Sequence, residues 1–457
     1  MPIATIDPTT GETVAEFEPH DADEIERRIA QSHEAYRALR STTFAERAAW
    51  MRAAADLMDA EVEETAAMLT LEMGKTLAQS RAEVRKSATN LRYYAEHAEE
   101  FLTGRELDAA AVNASRAYTV YEPIGVVLAV MPWNYPLWQV IRFAAPALMA
   151  GNTVLLKHAS NVPQAALYLD AIFERGGFPA GSFNTLLIGA REVEGVLRDR
   201  RVVAATLTGS EPAGRSVASI AGSEVKHVVL ELGGSDPFLV LPSADLDAAV
   251  ATAVTARTSN NGQACINAKR FIVHEDVYDA FVERFTAAMA ALVVGDPRDD
   301  ATDVGPLATS SGRDEVAELV SDALAQGAVA TTGGTVPEGP GWFYPPTVVT
   351  GVTKAMRLYA EEAFGPVATV FRASSLEEAL EIANDTTFGL SSAVWTQDAD
   401  EERRAIAGLD AGAVFVNGMS ISYPQVPFGG TKDSGLGREL SVEGIREFTN
   451  AKSVWKA

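Results

Sequence analysis

The order of apolar runs predicts an α/β protein built on two doubly wound parallel sheets. Between residues 125 and 233, short apolar strands at 126–130, 153–157, 184–187 and 204–208 alternate with helical segments, the order that a parallel sheet requires. A second alternating region runs from residue 237 to about 430, with strands at 237–241, 270–273 and 367–371 and a loop after Gly333. The chain has 457 residues, more than one compact core accommodates, so two or three domains are expected.

In chain order, residues 1–20 alternate and turn at Asp7-Pro8-Thr9-Thr10-Gly11, a hairpin signal. Residues 21–102 are helical in pattern. Thr43 and Glu46 fit a capping box, and Trp50, Ala54, Leu57 and Met58 follow at helical spacing. Gly74-Lys75-Thr76 resembles the end of a phosphate-binding loop. The glycine needed five residues earlier is Leu69, so the segment is read as a helix end. Residues 117–121 form a strand that Pro123-Ile124-Gly125 breaks. Thr208-Gly209-Ser210 closes a strand and opens a helix, where free N–H groups can meet a pyrophosphate. A helix spans roughly 246–257, a turn follows at Asn260-Asn261-Gly262, and Lys452-Ser453-Val454-Trp455-Lys456 is an edge strand.

The net charge is −24 and the pI about 4.7, which disfavours nucleic acid and anionic membranes. An anionic ligand therefore needs a locally basic pocket. Only 9 of the 38 basic residues are Lys, a bias open to two readings, a salt-loving source or a GC-rich genome. The longest apolar run, near residues 124–131, is far short of the roughly 20 residues that span a bilayer. The N-terminus, Met1-Pro2-Ile3-Ala4-Thr5-Ile6-Asp7, lacks signal-peptide regions, and with one cysteine this points to the cytoplasm.

That cysteine, Cys265, lies in Asn260-Asn261-Gly262-Gln263-Ala264-Cys265, between a helix and the strand that starts near Lys269. It has no partner for an internal disulfide, and loops on a rigid scaffold often carry catalytic groups. A lone cysteine is also a common small core residue. Upstream, Glu231 interrupts the apolar run of residues 228–232 and is followed by Gly233-Gly234. A carboxylate there is costly unless paired, exposed at a strand end, or functional, and the glycines admit a close neighbour.

Asn-Gly-Gln-Ala-Cys with Glu-Leu-Gly-Gly resembles the aldehyde dehydrogenase superfamily, and the resemblance extends over almost the whole chain. It implies that Cys265 is the nucleophile, Glu231 the general base, and Asn134, in Pro132-Trp133-Asn134-Tyr135-Pro136, an oxyanion donor with the Cys265 N–H. It places Trp133, Lys157, Ser160, Gly209, Ser210, Glu362 and Phe364 on the cofactor, the last two through Glu361-Glu362-Ala363-Phe364-Gly365-Pro366. It divides the chain into a dinucleotide-binding domain (1–104 and 124–232), a catalytic domain (233–433) and a small β oligomerisation element (105–123 and 444–457), and so implies a homodimer or homotetramer. Asn384 with Phe388-Gly389-Leu390, Pro427-Phe428-Gly429-Gly430 and Ser434-Gly435-Leu436-Gly437-Arg438-Glu439 match further signatures.

Within the superfamily, residues 131–139 and Lys157-His158-Ala159-Ser160-Asn161 resemble the bacterial succinate-semialdehyde dehydrogenase group. This implies Arg142 and Ser422 as partners of the distal carboxylate of a small semialdehyde. The second arginine of some relatives is absent: that position is Ser259, and the nearest arginine is Arg257. Position 267 is Asn, so a neighbouring-cysteine switch is excluded. Ser160 replaces a glutamate common in NAD-preferring relatives, which with Lys157 and His158 implies NADP, with NAD as the alternative. Glutarate semialdehyde, a simple aldehyde, acyl transfer to coenzyme A and a non-catalytic relative stay open. Cys265, Glu231 and Asn134 together oppose the last of these, and Glu231 favours hydrolysis over transfer.

Overall fold

Ile3–Ile6 and Thr13–Phe17 pair antiparallel in the computed structural model, with Gly11 at φ +79° in the turn. The structure describes residues 3–457; Met1 and Pro2, where the signal-peptide reading begins, lie outside the described residues. Four helices follow, Ala22–Leu39, Phe44–Ala60, Val62–Met73 and Leu77–Phe101. Their starts and stops follow from local chemistry. Asp21 and Thr76 cap two N-termini through their side chains, and the Thr43–Glu46 capping box forms as expected. Gly74 ends the third helix at φ +84°, and a Cβ there would lie 2.7 Å from the Pro306 carbonyl, so only glycine fits.

The first sheet runs Gly435–Leu436, His227–Glu231, Val202–Thr208, Val126–Met131, Thr153–His158 and Phe183–Thr185. Five of these strands are parallel; Gly435–Leu436 joins antiparallel at the edge. Their continuous apolar sequences reflect helices on both faces. Helix Trp138–Ala150 is buried at every position, sandwiched between the sheet and the N-terminal helices. The strand expected at 184–187 occupies Phe183–Thr185 instead, because beyond Thr185 the backbone leaves the ladder.

The second sheet runs Val329–Thr332, Thr347–Thr350, Val367–Ala373, Ala268–His274, Asp236–Val240, Ser392–Trp395 and Val414–Val416. Only its first pair is antiparallel. Alternate residues feed opposite cores. Leu239 and Ile272 lie in one, Phe238 and Phe271 in the other, the latter with Phe281 and Phe285. The expected doubly wound architecture is therefore present twice. A third, antiparallel sheet joins Glu106–Leu107, Arg116–Pro123 and Thr449–Lys456, the last paired along its whole length with the second. Among the described residues no helix is long and apolar enough to cross a membrane.

The two large sheets meet where the chain passes from Glu231 to Asp236. Met131, Thr208 and Glu231 end strands of the first sheet, and ligands of open α/β sheets bind beyond such carboxyl ends. The loop before Ala268–His274 brings Cys265 to the same seam. Gly234 permits this, since a Cβ there would lie 2.6 Å from the Cys265 carbonyl.

Candidate active site

The turn expected before Cys265 is present and is buried. Asn260, Asn261 and Gly262 have φ of 57°, 56° and +75°, and all three are buried. Their amides replace solvent. Asn261 Nδ2 donates to the carbonyls of Gly74 and Pro306, both at 2.9 Å, and its Oδ1 accepts from the Gly305 N–H at 2.9 Å. Asn260 Nδ2 donates to the carbonyls of Asn134 at 2.8 Å and Gln263 at 3.1 Å. Asn267 accepts from the Ala264 N–H at 2.8 Å and donates to the Ala256 carbonyl at 2.9 Å.

Two buried cations complete the clamp. Arg257 donates to the carbonyls of Gly262 at 2.5 Å, Ala268 at 3.0 Å and Gly365. It staples the loop and is no substrate group. Lys269 Nζ donates to the carbonyls of Ala264 at 2.9 Å and Cys265 at 2.6 Å and pairs with Glu362 at 2.9 Å. Cys265 is half-buried on this rigid loop. Burial pushes its thiol up to about 12, against the pull of Arg142 and Lys269. The free enzyme therefore holds a thiol that needs a base before it attacks.

Asn134 lies across from this loop. Its Nδ2 donates to the Gln263 carbonyl at 3.1 Å, which leaves one amide hydrogen for a ligand. A buried ion pair fixes the segment. Lys75 meets Glu83 and lies 4.6 Å over the Tyr135 ring. The other oxygen of Glu83 accepts the N–H groups of Leu137 at 2.8 Å and Trp138 at 2.9 Å, capping the helix that follows. The lysine of Gly74-Lys75-Thr76, read from sequence only as part of a helix end, thus helps to position the segment that carries Asn134.

Glu231 is 1% exposed, and neither carboxyl oxygen has a hydrogen-bond partner. Burial and the nearby Glu439 hold its carboxyl well above the usual range, with Arg142 and Arg438 opposing. Gly429 makes room for it, since a Cβ there would lie 2.8 Å from Glu231 Oε1. Glu439 was visible only as the last residue of a signature. Here it meets Arg142 in a buried ion pair.

Arg142, expected from the resemblance as a partner of the distal carboxylate, is engaged by Glu439 in this structure. Its guanidinium is 1% exposed, engages Glu439, donates to Thr208 Oγ1 at 3.3 Å and lies 4.4 Å over the Phe428 ring. The helix that presents it is buried at every position, and its charge opposes the upward shifts of Cys265 and Glu231. Ser422 lines a small pocket with Ile266, the neighbour of Cys265, and Phe428. Its Oγ accepts from Lys86 Nζ at 2.9 Å and Trp138 Nε1 at 3.1 Å.

Among the residues expected to meet the cofactor, Trp133 and Phe364 meet edge to face at 5.7 Å. Glu362 lies beside them with its carboxylate held by Lys269 rather than free. Lys157 is half-buried, and among the described residues no carboxylate pairs with it. Burial lowers its pKa, with Glu192 opposing. Ser160 is half-exposed three residues on, pinned by its carbonyl to the Ala4 N–H at 3.0 Å.

Two details correct the sequence reading. His158 adds no charge, because burial pushes it down to about 4. Its Nδ1 accepts from the Ala159 N–H, so the proton sits on Nε2, 2.8 Å from the Pro136 carbonyl. The Gly209 N–H is not free for phosphate either, since it donates to the Glu231 carbonyl at 3.0 Å. Ser210 is the residue left open: it begins helix Glu211–Ser223 without using its side chain as a cap.

Residues 1–454 match the aldehyde dehydrogenase family, and the chain belongs to that family. Among its relatives, the protein named succinate-semialdehyde dehydrogenase [NADP(+)] 1 from Mycobacterium tuberculosis is 64% identical over 457 residues, covering 100% of both chains. A succinate-semialdehyde dehydrogenase [NADP(+)] from Mycolicibacterium paratuberculosis is 63% identical over 456 residues, 100% of this chain and 97% of the relative. Among solved structures, succinic semialdehyde dehydrogenase from Streptococcus pyogenes, in complex with NADP+, superposes with a TM-score of 0.96 at 36% identity over 99% of each chain.

Proposed function

We propose that the protein oxidises succinate semialdehyde to succinate with NADP as the hydride acceptor. The observation that carries this reading is a buried, unpartnered Glu231 and a clamped Cys265 at one seam, in a chain 64% identical to proteins named for that activity.

The chemistry divides among the side chains. Cys265 gives its proton through water to the Glu231 carboxylate, which passes it on to solvent, and the sulfur adds to the aldehyde carbon. The resulting oxyanion accepts from the Cys265 N–H and the spare Asn134 amide hydrogen. The bound nicotinamide supplies the acceptor for the hydride that leaves this carbon with its electron pair. The C=O bond re-forms, leaving a thioester on Cys265. Glu231 takes a proton from water, the hydroxide adds, and the C–S bond breaks to release the acid and the thiol. A carboxyl with a raised pKa is a stronger base than an ordinary glutamate once ionised.

The residues present fit the cofactor. Lys157 is a half-buried cation without a carboxylate, and Ser210 begins a helix with an uncommitted hydroxyl. Lys157 and Ser160 would hold the adenosine end, Ser210 the phosphates, and Trp133, Phe364 and Glu362 the nicotinamide end. Glu362, paired here with Lys269, would exchange that partner for a ribose hydroxyl.

The division into a cofactor domain (1–104 and 124–232), a catalytic domain (233–433) and an oligomerisation element (105–123 with 444–457) belongs to this reading. Strand Thr449–Lys456 supports it: one edge pairs with Arg116–Pro123, the other is bare, and Trp455 is 55% exposed. A second subunit would cover that edge, giving a homodimer or homotetramer. The cytoplasm is the compartment consistent with a single thiol.

The test is steady-state kinetics with succinate semialdehyde, glutarate semialdehyde and butanal, each with NADP and NAD. The highest kcat/KM should belong to succinate semialdehyde with NADP. A higher value for butanal, or for NAD by more than about tenfold (roughly 1.4 kcal/mol), refutes the assignment.

A further inference from the structure

Lys86, on helix Leu77–Phe101, donates from its ammonium at 2.9 Å to Ser422 Oγ, and Ser422 lines a pocket with Ile266. Its surroundings are unusual for a lysine. The ammonium lies 4.0 Å over the Trp138 ring and donates to one acceptor, Ser422 Oγ. Among the described residues no carboxylate pairs with it. Lys75, Lys269, Lys354, Lys432 and Lys452 each have such a partner. Leaving a largely buried cation unpaired is costly unless a ligand supplies the anion.

Ser422 points to the same conclusion. A hydroxyl has two acceptor positions and one hydrogen. Lys86 Nζ and Trp138 Nε1 occupy both acceptor positions. The Ser422 hydrogen has no acceptor among the described residues, and the residue lines the cavity. The cluster therefore presents donors: two remaining N–H groups on Lys86 and one O–H on Ser422. Arg142, the cation expected here from sequence, is neutralised by Glu439. In a chain of net charge −24, Lys86 is a basic group beside Ser422 that no carboxylate among the described residues neutralises.

We propose that Lys86, acting with the Ser422 hydroxyl, binds the distal carboxylate of the substrate and selects ω-carboxylated aldehydes over neutral ones. Burial lowers the Lys86 pKa to about 7, with Arg142 adding to the effect, and a bound carboxylate would restore its charge. The inference rests on the substrate reading above and assigns that reading a residue.

The experiment compares wild type, Lys86→Met, Lys86→Gln and Lys86→Arg with NADP, using succinate semialdehyde and butanal, which have equal carbon number. A charge-assisted hydrogen bond lost from a substrate contact should lower kcat/KM for succinate semialdehyde by about ten- to a hundredfold in the Met and Gln variants, mainly through KM. Butanal should change by less than about threefold, and Lys86→Arg should keep most of the preference. Succinate should raise the melting temperature of wild type and not of Lys86→Gln, a readout independent of turnover. Equal losses for both substrates, or an unchanged preference in Met and Gln variants of an enzyme that strongly prefers succinate semialdehyde, overturn the role of Lys86. A wild type without that preference overturns the substrate reading itself.

Discussion

Glu83→Ala should damage both stability and catalysis, although Glu83 touches no reacting atom. Its carboxylate pairs with the fully buried Lys75 and accepts two backbone N–H groups at 2.8 and 2.9 Å. Breaking one side of a buried ion pair costs about 3–5 kcal/mol, and each buried amide left without an acceptor adds about 1–3 kcal/mol. The contributions overlap, because the chain relaxes once around the same hole, so a net loss of about 4–6 kcal/mol is expected. At about 2–4 °C per kcal/mol this lowers the melting temperature by about 10 °C or more. The Leu137 and Trp138 amides anchor the turn that carries Asn134, so kcat should also fall at temperatures well below the melting range. Thermal unfolding followed by fluorescence and assays about 20 °C below the transition measure the two effects. Lys75→Met/Glu83→Leu, which removes both charges, should recover at least half of the lost stability. A single variant melting within about 2 °C of wild type, or a double variant less stable than the single, refutes the role given to this pair.

Other consequences follow from the same geometry. Cys265 should be alkylated by iodoacetamide, in cofactor-free enzyme, at a rate that rises about tenfold per pH unit from neutrality upward, because the thiolate is the reactive form and burial holds the thiol at about 12; a plateau near pH 8.5, an ordinary thiol value, contradicts this. Ser160→Glu should shift the ratio of kcat/KM for NADP over NAD by at least about tenfold towards NAD, since a carboxylate beside Lys157 repels a 2′-phosphate; an unchanged ratio removes Ser160 from the 2′ site. Arg142→Ala leaves Glu439 buried without its cation, so it should lower the melting temperature and impair succinate semialdehyde and butanal alike; a selective loss on succinate semialdehyde would return Arg142 to the substrate.

The fold was legible because its strands are short apolar runs separated by helical segments, and a parallel sheet covered on both faces leaves that pattern in the sequence. Thr43–Glu46 and Gly74 were legible too, since caps depend on neighbouring residues. The partners of buried charges were not. Arg142 looked free because Glu439 lies almost three hundred residues later, and Lys86 looked like any charge on an amphipathic helix. His158 read as a cation until its burial against the Pro136 carbonyl was visible. The Asn260-Asn261-Gly262 turn was legible as a turn, but its burial was not, because Asn side chains substitute for solvent only when tertiary partners such as Gly74 and Pro306 arrive.

The most direct measurement is a single turnover of Glu231→Gln with succinate semialdehyde and NADP, followed by absorbance of the reduced cofactor and by intact-protein and peptide mass. The expected result is a burst of one reduced cofactor per active site, a far slower steady state, and a succinyl mass on the peptide containing Cys265. Wild-type steady-state turnover with no burst and no adduct, or an adduct on any other residue, would contradict the thioester route through Cys265 with Glu231 as the base that clears it.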